Sequence, residues 1–178
     1  LLIDLDQFKE VNDSIGHEQG DELLIEAAKR INDCTRKSDT IARLGGDEFV
    51  IILRDVQSDS SIENVCNNIL EQLKRPFQLI EKTFISASLG ITVCPQDSNS
   101  MQELLKNADQ AMYAAKANGR NRWHYFTTEM QELAVERASL VRDLHHGLKN
   151  EQFEVHFQPI STLNNGEIYK AEALLRWH

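Results

Sequence analysis

Apolar residues recur along this chain with two different periods, and their alternation divides it into elements. Leu1-Leu2-Ile3 reads as the tail of a buried strand. Phe8, Val11 and Ile15 then share one helical face over Asp6–Ile15, and Gly16 interrupts the run. Leu23, Leu24, Ala27, Ala28 and Ile31 continue at helical spacing to about Arg36. Ile41–Leu44 and Glu48–Leu53 read as strands joined through Gly45-Gly46, a hairpin whose glycines permit positive φ and close backbone approach. Ile62, Val65, Ile69, Leu70 and Leu73 form another helical stripe that stops near Pro76. Phe84–Val93 is a β-rich run, Met101–Ala117 an alanine-rich helix with Gly119 as its C-cap, and Arg122–Phe126 a last strand.

The order strand, helix, helix, hairpin, helix, strand, helix, strand predicts a two-layer α+β domain, antiparallel at least at the hairpin. A charged amphipathic helix over Glu129–Lys149, with Leu133, Leu140, Leu144 and Leu148 apolar, reads as a connector to a second domain beginning near Gln152. The opening Leu and the closing run Ala173–His178 read as cut ends of a longer protein.

Charge narrows the range of partners. The 178 residues carry 28 Asp+Glu against 19 Lys+Arg, a net charge of −9. That balance argues against a nucleic-acid polymer or an anionic membrane surface as partner, since both require a cationic stripe. An anionic nucleotide stays compatible, because a metal ion and a few placed cations reverse the field locally. Cys34, Cys66 and Cys94 lie far apart without metal-ligand spacing, which points to a reducing, cytoplasmic setting. No apolar run reaches the roughly 18–20 residues of a membrane span, and no signal-peptide layout opens the chain.

Acidic residues gather at element ends. Asp4 and Asp6 flank Leu5 where the first strand stops, and Asp47-Glu48 sit at the hairpin. Paired beside each other, these segments bring Asp4 and Asp47 to one edge, a donor set suited to a hard cation in phosphoryl transfer. Turn and cap duty accounts for the same residues equally simply. Lys9, Lys116 and Arg120 are candidate phosphate holders or ordinary solvated helix-end cations. Asn12 and Asp21, flanking Gly16-His17, can read a guanine edge or cap helices.

Four ordered motifs resemble the GGDEF diguanylate cyclase family over about Leu1–Phe126. They are Asp4-Leu5-Asp6-Gln7-Phe8-Lys9-Glu10-Val11-Asn12-Asp13, Gly16-His17 with Gly20-Asp21, Gly45-Gly46-Asp47-Glu48-Phe49, and Lys116 with Gly119-Arg120-Asn121. The resemblance implies a palm-like α+β domain related to nucleotidyl cyclases, with a central, mainly antiparallel five-stranded sheet and flanking helices. It implies Mg²⁺ (or Mn²⁺) on Asp4, the Leu5 carbonyl and Asp47, with Asp47, helped by Glu48, deprotonating a ribose 3′-hydroxyl. Asn12 and Asp21 would recognise guanine with His17 nearby; Lys9, Lys116 and Arg120 would hold the triphosphate, and Gly45-Gly46 would let the nucleotide approach. Two GTP, one on each of two facing domains of a homodimer, would give cyclic di-GMP and two pyrophosphates. The family's D-x-L-T-x-L-x-N-R segment, which precedes the first strand, does not occur in this sequence.

Arg36-Lys37-Ser38-Asp39 is similar to the family's inhibitory R-x-x-D site, where Arg36 and Asp39 would bind product. A plain ion pair between them is the other reading. Phe153–Ile160 and Glu172–Trp177 resemble the opening of an EAL phosphodiesterase domain, in which Glu172 would be a metal ligand. The expected organisation is therefore 1–128 GGDEF domain, 129–150 connecting helix and 151–178 the start of an EAL domain too short to hydrolyse cyclic di-GMP. A weakly catalytic GTP- or cyclic di-GMP-binding regulator of an adjacent phosphodiesterase is the alternative to an active cyclase in bacterial second-messenger signalling.

Overall fold

The computed structural model describes residues 1–80 and 82–178. The chain divides into two compact units, Leu1–Gln131 and Glu132–His178.

In the first unit, β1 (Leu2–Leu5) is buried along its whole length because both its faces are covered. It lies at the centre of a sheet ordered β2-β3-β1-β6-β7, with β2 Thr40–Gly45, β3 Glu48–Ile52, β6 Ala87–Ile91 and β7 Arg122–Tyr125. Every pairing is antiparallel except β6 with β7, which is parallel. Side chains alternate across this sheet. Ile3, Leu5, Phe49, Ile51, Leu89 and Ile91 enter the main core with residues of α1 (Phe8–Ile15), α2 (His17–Asp33) and α3 (Asp59–Lys74). Leu2 and Val50 face the other way and pack on Ala108 and Met112 of α4 (Met101–Ala117). The palm-like α+β domain is thus as expected, with its flanking helices on both faces.

The approach of α4 is unusually close at Gly90. A Cβ there would lie 1.9 Å from the Ala108 carbonyl oxygen and 2.5 Å from the Met112 nitrogen, so only glycine fits.

Element ends differ from the periodicity in informative ways. Helix α1 begins at Phe8, because Gln7 takes a left-handed φ of 61° that turns the chain off β1. Helix α2 stops at Asp33, short of Arg36. The β-rich run contracts to Ala87–Ile91, since Phe84 is exposed, and Phe77–Gln78 and Lys82–Thr83 form a small separate pair, β4 and β5. Asn118 caps α4, and Gly119 follows it at φ 107°.

In the second unit, α5 (Thr128–Lys149) crosses the boundary, and β8 (Phe153–Ser161) pairs antiparallel with β9 (Ile168–Trp177). The Phe153 and Trp177 rings stack at 5.3 Å and close over the buried Gly147 of α5. No helix among the described residues is long and apolar enough to cross a membrane.

Candidate active site

The site is assembled by the register of β1. Asp4 pairs opposite Glu48 on one side and Ser88 on the other. The Leu5 N–H donates to the Asp47 carbonyl at 3.3 Å, which docks the hairpin loop beside the end of β1. The loop itself is Gly46-Asp47, between Gly45 and its partner Glu48. Its first residue alone has positive φ, 53°, as a type II′ turn requires, so Gly46 is the glycine the backbone needs while Gly45 belongs to the strand. Arg43 Nε donates to the Gly46 carbonyl at 2.8 Å, and a bulge between Arg43 and Gly45 twists the hairpin.

Asp4 is 7% exposed, and Lys116 reaches it from the last turn of α4, Nζ to Oδ2 2.7 Å. Burial holds the Asp4 carboxyl above the usual Asp range. Lys116 opposes that shift, whereas the Asp47 and Asp6 carboxylates reinforce it. Two repelling carboxylates with one ammonium between sheet and helix form a hard-oxygen set that a divalent cation would complete. Mg²⁺ is commonly held by one or two carboxylates, its remaining sites going to water and phosphate.

Asp6 has a different job. Its carboxylate accepts from Ser88 Oγ at 2.7 Å, Ser86 Oγ at 2.6 Å and the Asn121 N–H at 3.2 Å. These three donors tie the end of β1 to β6 and to the turn after α4, where Gly119, Arg120 and Asn121 all have positive φ. Sequence reasoning paired Asp6 with Asp4 and missed this role. The alternating Ser86 and Ser88, facing the same side of the sheet, were the available signal.

The remaining candidates occupy two further places. Lys9 and Asn12 lie on α1, His17 and Asp21 on α2, and Lys9, His17 and Asp21 are exposed. Asn12 Oδ1 is buried without a hydrogen-bond partner, beside Gly20. Arg120 is exposed beyond the end of α4. Arg36 and Asp39 sit together outside this group, in the turn between α2 and β2. There the Asp39 carboxylate accepts the backbone N–H of Arg36 at 2.8 Å and of Arg54 at 3.2 Å. One oxygen thus closes the turn and the other ties it to the segment after β3, so Asp39 makes a backbone clasp in place of the guanidinium–carboxylate pair that was the alternative reading.

In the second unit, Glu172 is exposed on β9 opposite Gln158. Glu154, His156 and His178 bring possible ligand atoms within 4.8 Å of one another, all three exposed. An apolar cavity of about 750 Å³ runs along β3 and the starts of α3 and α4, with none of the candidate residues in its wall.

Comparison with known proteins gives a consistent result. Residues 1–122 match the family described as diguanylate cyclase, GGDEF domain. The bifunctional diguanylate cyclase/cyclic di-GMP phosphodiesterase MucR of Pseudomonas aeruginosa is 43% identical over 178 residues, 99% of this chain and 26% of MucR. The cyclic di-GMP phosphodiesterase NbdA of the same organism is 38% identical, over 99% of this chain and 23% of NbdA. The solved structure of an N-terminally truncated P. aeruginosa TpbB (YfiN) comprising only its GGDEF domain is 35% identical and superposes with a TM-score of 0.72, covering 75% of this chain and 78% of that one. The chain spans about a quarter of the length of the curated relatives it matches.

Proposed function

The chain belongs to the GGDEF diguanylate cyclase family, and from that premise we propose that it condenses two GTP into cyclic di-GMP and two pyrophosphates. The observation that carries this reading is the convergence of Asp4, Asp47 and Lys116, produced by β1–β3 pairing and the end of α4.

Asp4, the Leu5 carbonyl and Asp47 would hold Mg²⁺ or Mn²⁺. When bound, that ion neutralises charge developing on the transferred phosphoryl group. The chain's own residues do the rest. Lys9, Lys116 and Arg120 bind the triphosphate and orient it. Asn12 and Asp21 recognise guanine, and His17 lies beside them on α2. Gly45 and Gly46 leave open space on the hairpin, where a Cβ at either would meet nothing within 4 Å. Asp47, assisted by Glu48, accepts the proton of the 3′-hydroxyl as its oxygen attacks the α-phosphorus of the facing nucleotide and pyrophosphate leaves. Each site presents one nucleotide, so a homodimer completes the reaction. Arg36 and Asp39 would bind cyclic di-GMP at an inhibitory site, the Arg36 guanidinium forking onto a guanine. The second unit would open an EAL domain, with Glu172 among its metal ligands.

A second reading follows from NbdA, named only as a phosphodiesterase yet matched along nearly the whole chain. On that reading the domain binds GTP or cyclic di-GMP and regulates a neighbouring phosphodiesterase. One assay separates the two: the intact protein carrying Glu172→Gln is incubated with GTP and Mg²⁺, and cyclic di-GMP is measured by chromatography. Product that disappears with Asp47→Ala supports the cyclase. Bound GTP without product supports the regulator.

A further inference from the structure

We infer that Gly20 is a positioning residue for nucleotide recognition: its missing side chain seats Asn12 Oδ1, so that the Asn12 Nδ2 faces ligand as a donor. The inference rests on the reading of Asn12 as a guanine contact. Gly20 is buried in the first turns of α2. A Cβ on it would lie 1.8 Å from Asn12 Oδ1 and 2.9 Å from its Cγ, so the carboxamide occupies the space any other residue would fill. The backbone of Asn12 is committed as well, since its carbonyl accepts from the Gly16 N–H at 2.9 Å and closes α1. The side chain therefore leaves α1 toward α2 with its carbonyl end lodged over the Gly20 backbone.

That end is fully buried without a hydrogen-bond partner, while the Nδ2 end is not among the buried unpartnered atoms. An oxygen tolerates a seat against a Cα–H, with which it makes a weak C–H···O contact. An NH₂ in the same seat would bury two unsatisfied donors, a costlier arrangement. The physics thus selects one of the two amide orientations. Asn12 becomes a donor-only contact, matched to an acceptor of the base. The exposed carboxylate of Asp21, next in sequence to Gly20, supplies the complementary acceptor.

Gly20 differs from Gly90 in what an added methyl would strike. At Gly90 the obstacle is the backbone of α4, whereas at Gly20 the atoms met are side-chain ones, the Asn12 carboxamide, which can swing away, and at 3.3 Å the Phe8 ring, which need give only a few tenths of an ångström. Gly20→Ala should therefore displace Asn12 rather than unfold the domain.

The test measures binding of two probes to the intact protein with Mg²⁺, namely GTP and inorganic tripolyphosphate, which shares the phosphate contacts but has no base. Gly20→Ala and Asn12→Asp are each expected to weaken GTP binding at least about tenfold while leaving tripolyphosphate within about twofold. A parallel loss for both probes would assign Gly20 a merely structural role and overturn the inference. So would wild-type GTP affinity in Asn12→Asp, since a carboxylate cannot donate. If Asn12→Ala weakens GTP but Gly20→Ala does not, the seat is unnecessary and the inference alone fails. Wild-type GTP affinity in Asn12→Ala would instead remove the guanine reading beneath it. Should Gly20→Ala fail to fold, the Asn12→Asp comparison still decides which end of the amide faces the base.

Discussion

Replacing Lys116 with methionine keeps the apolar stem on α4 and deletes the ammonium that Asp4 now holds at 2.7 Å. Removing one partner of a buried pair costs about 3–5 kcal/mol, because the other charge is left in a poor solvent. Lys116 is 31% exposed at its side chain, so water recovers part of that penalty. The expected loss is about 2 kcal/mol at neutral pH, a fall in Tm of roughly 5–10 °C for a domain of this size.

The pH dependence is the sharper signature. The folded Asp4 carboxyl already titrates above its ordinary range because it is buried. A raised carboxyl contributes stability that is fully present below its unfolded pKa and is lost as pH rises through the folded value. Lys116→Met abolishes the two influences that pull Asp4 down, so the folded value climbs further. The deficit against wild type is therefore largest at neutral pH and shrinks toward about pH 4, where a protonated Asp4 needs no partner. Thermal melts by circular dichroism at both pH values read it directly. Adding Asp4→Asn to Lys116→Met should restore most of the lost stability at neutral pH. A deficit of equal size at both pH values, or no recovery with Asp4→Asn, would refute the assignment of Lys116 as the counter-charge of Asp4.

Three further outcomes follow from other parts of the molecule. Gly90→Ala should destabilise the domain by at least about 3 kcal/mol or prevent folding, because its Cβ meets helix backbone and α4 must retreat; a melting curve decides. Asp47→Ala should leave the fold intact, as Asp47 lies in a two-residue loop whose structural contact is its own carbonyl, and should remove cyclic di-GMP production measured by chromatography. Arg36→Ala should relieve inhibition by added cyclic di-GMP about tenfold while the initial rate stays near wild type, read from initial-rate curves at increasing product. Equal loss of rate in the Asp47 and Arg36 variants would collapse the two sites into one.

The elements themselves were legible because period and punctuation agree along this chain. Met101–Ala117 has Ser100 at its start, accepting from the Glu103 N–H, and small residues on the face that meets the sheet; its bounds are those the periodicity predicts. Where local signals and tertiary contacts disagree, tertiary contacts prevail. Phe84 and Val93 carry strand propensity, yet only Ala87–Ile91 has neighbours on both sides, β1 and β7, and so only that stretch forms a strand.

The site was partly legible for a similar reason. Asp4 and Asp47 end elements that a hairpin brings into register, so their meeting is encoded in strand order. What the sequence could not reveal was the use to which each polar atom is put. Asp6 and Asp4 are two residues apart on one face of the sheet, and only the tertiary structure gives Asp6 two hydroxyls and an N–H while it gives Asp4 a lysine. The same holds for Asp39, whose two oxygens are spent on backbone amides, one of them fifteen residues away. Carboxylates satisfied by neutral donors are thereby committed to structure. Asp4, buried with the Asp47 carboxylate nearby and the Lys116 ammonium for balance, differs from both in that its partner is a charge a bound cation could replace.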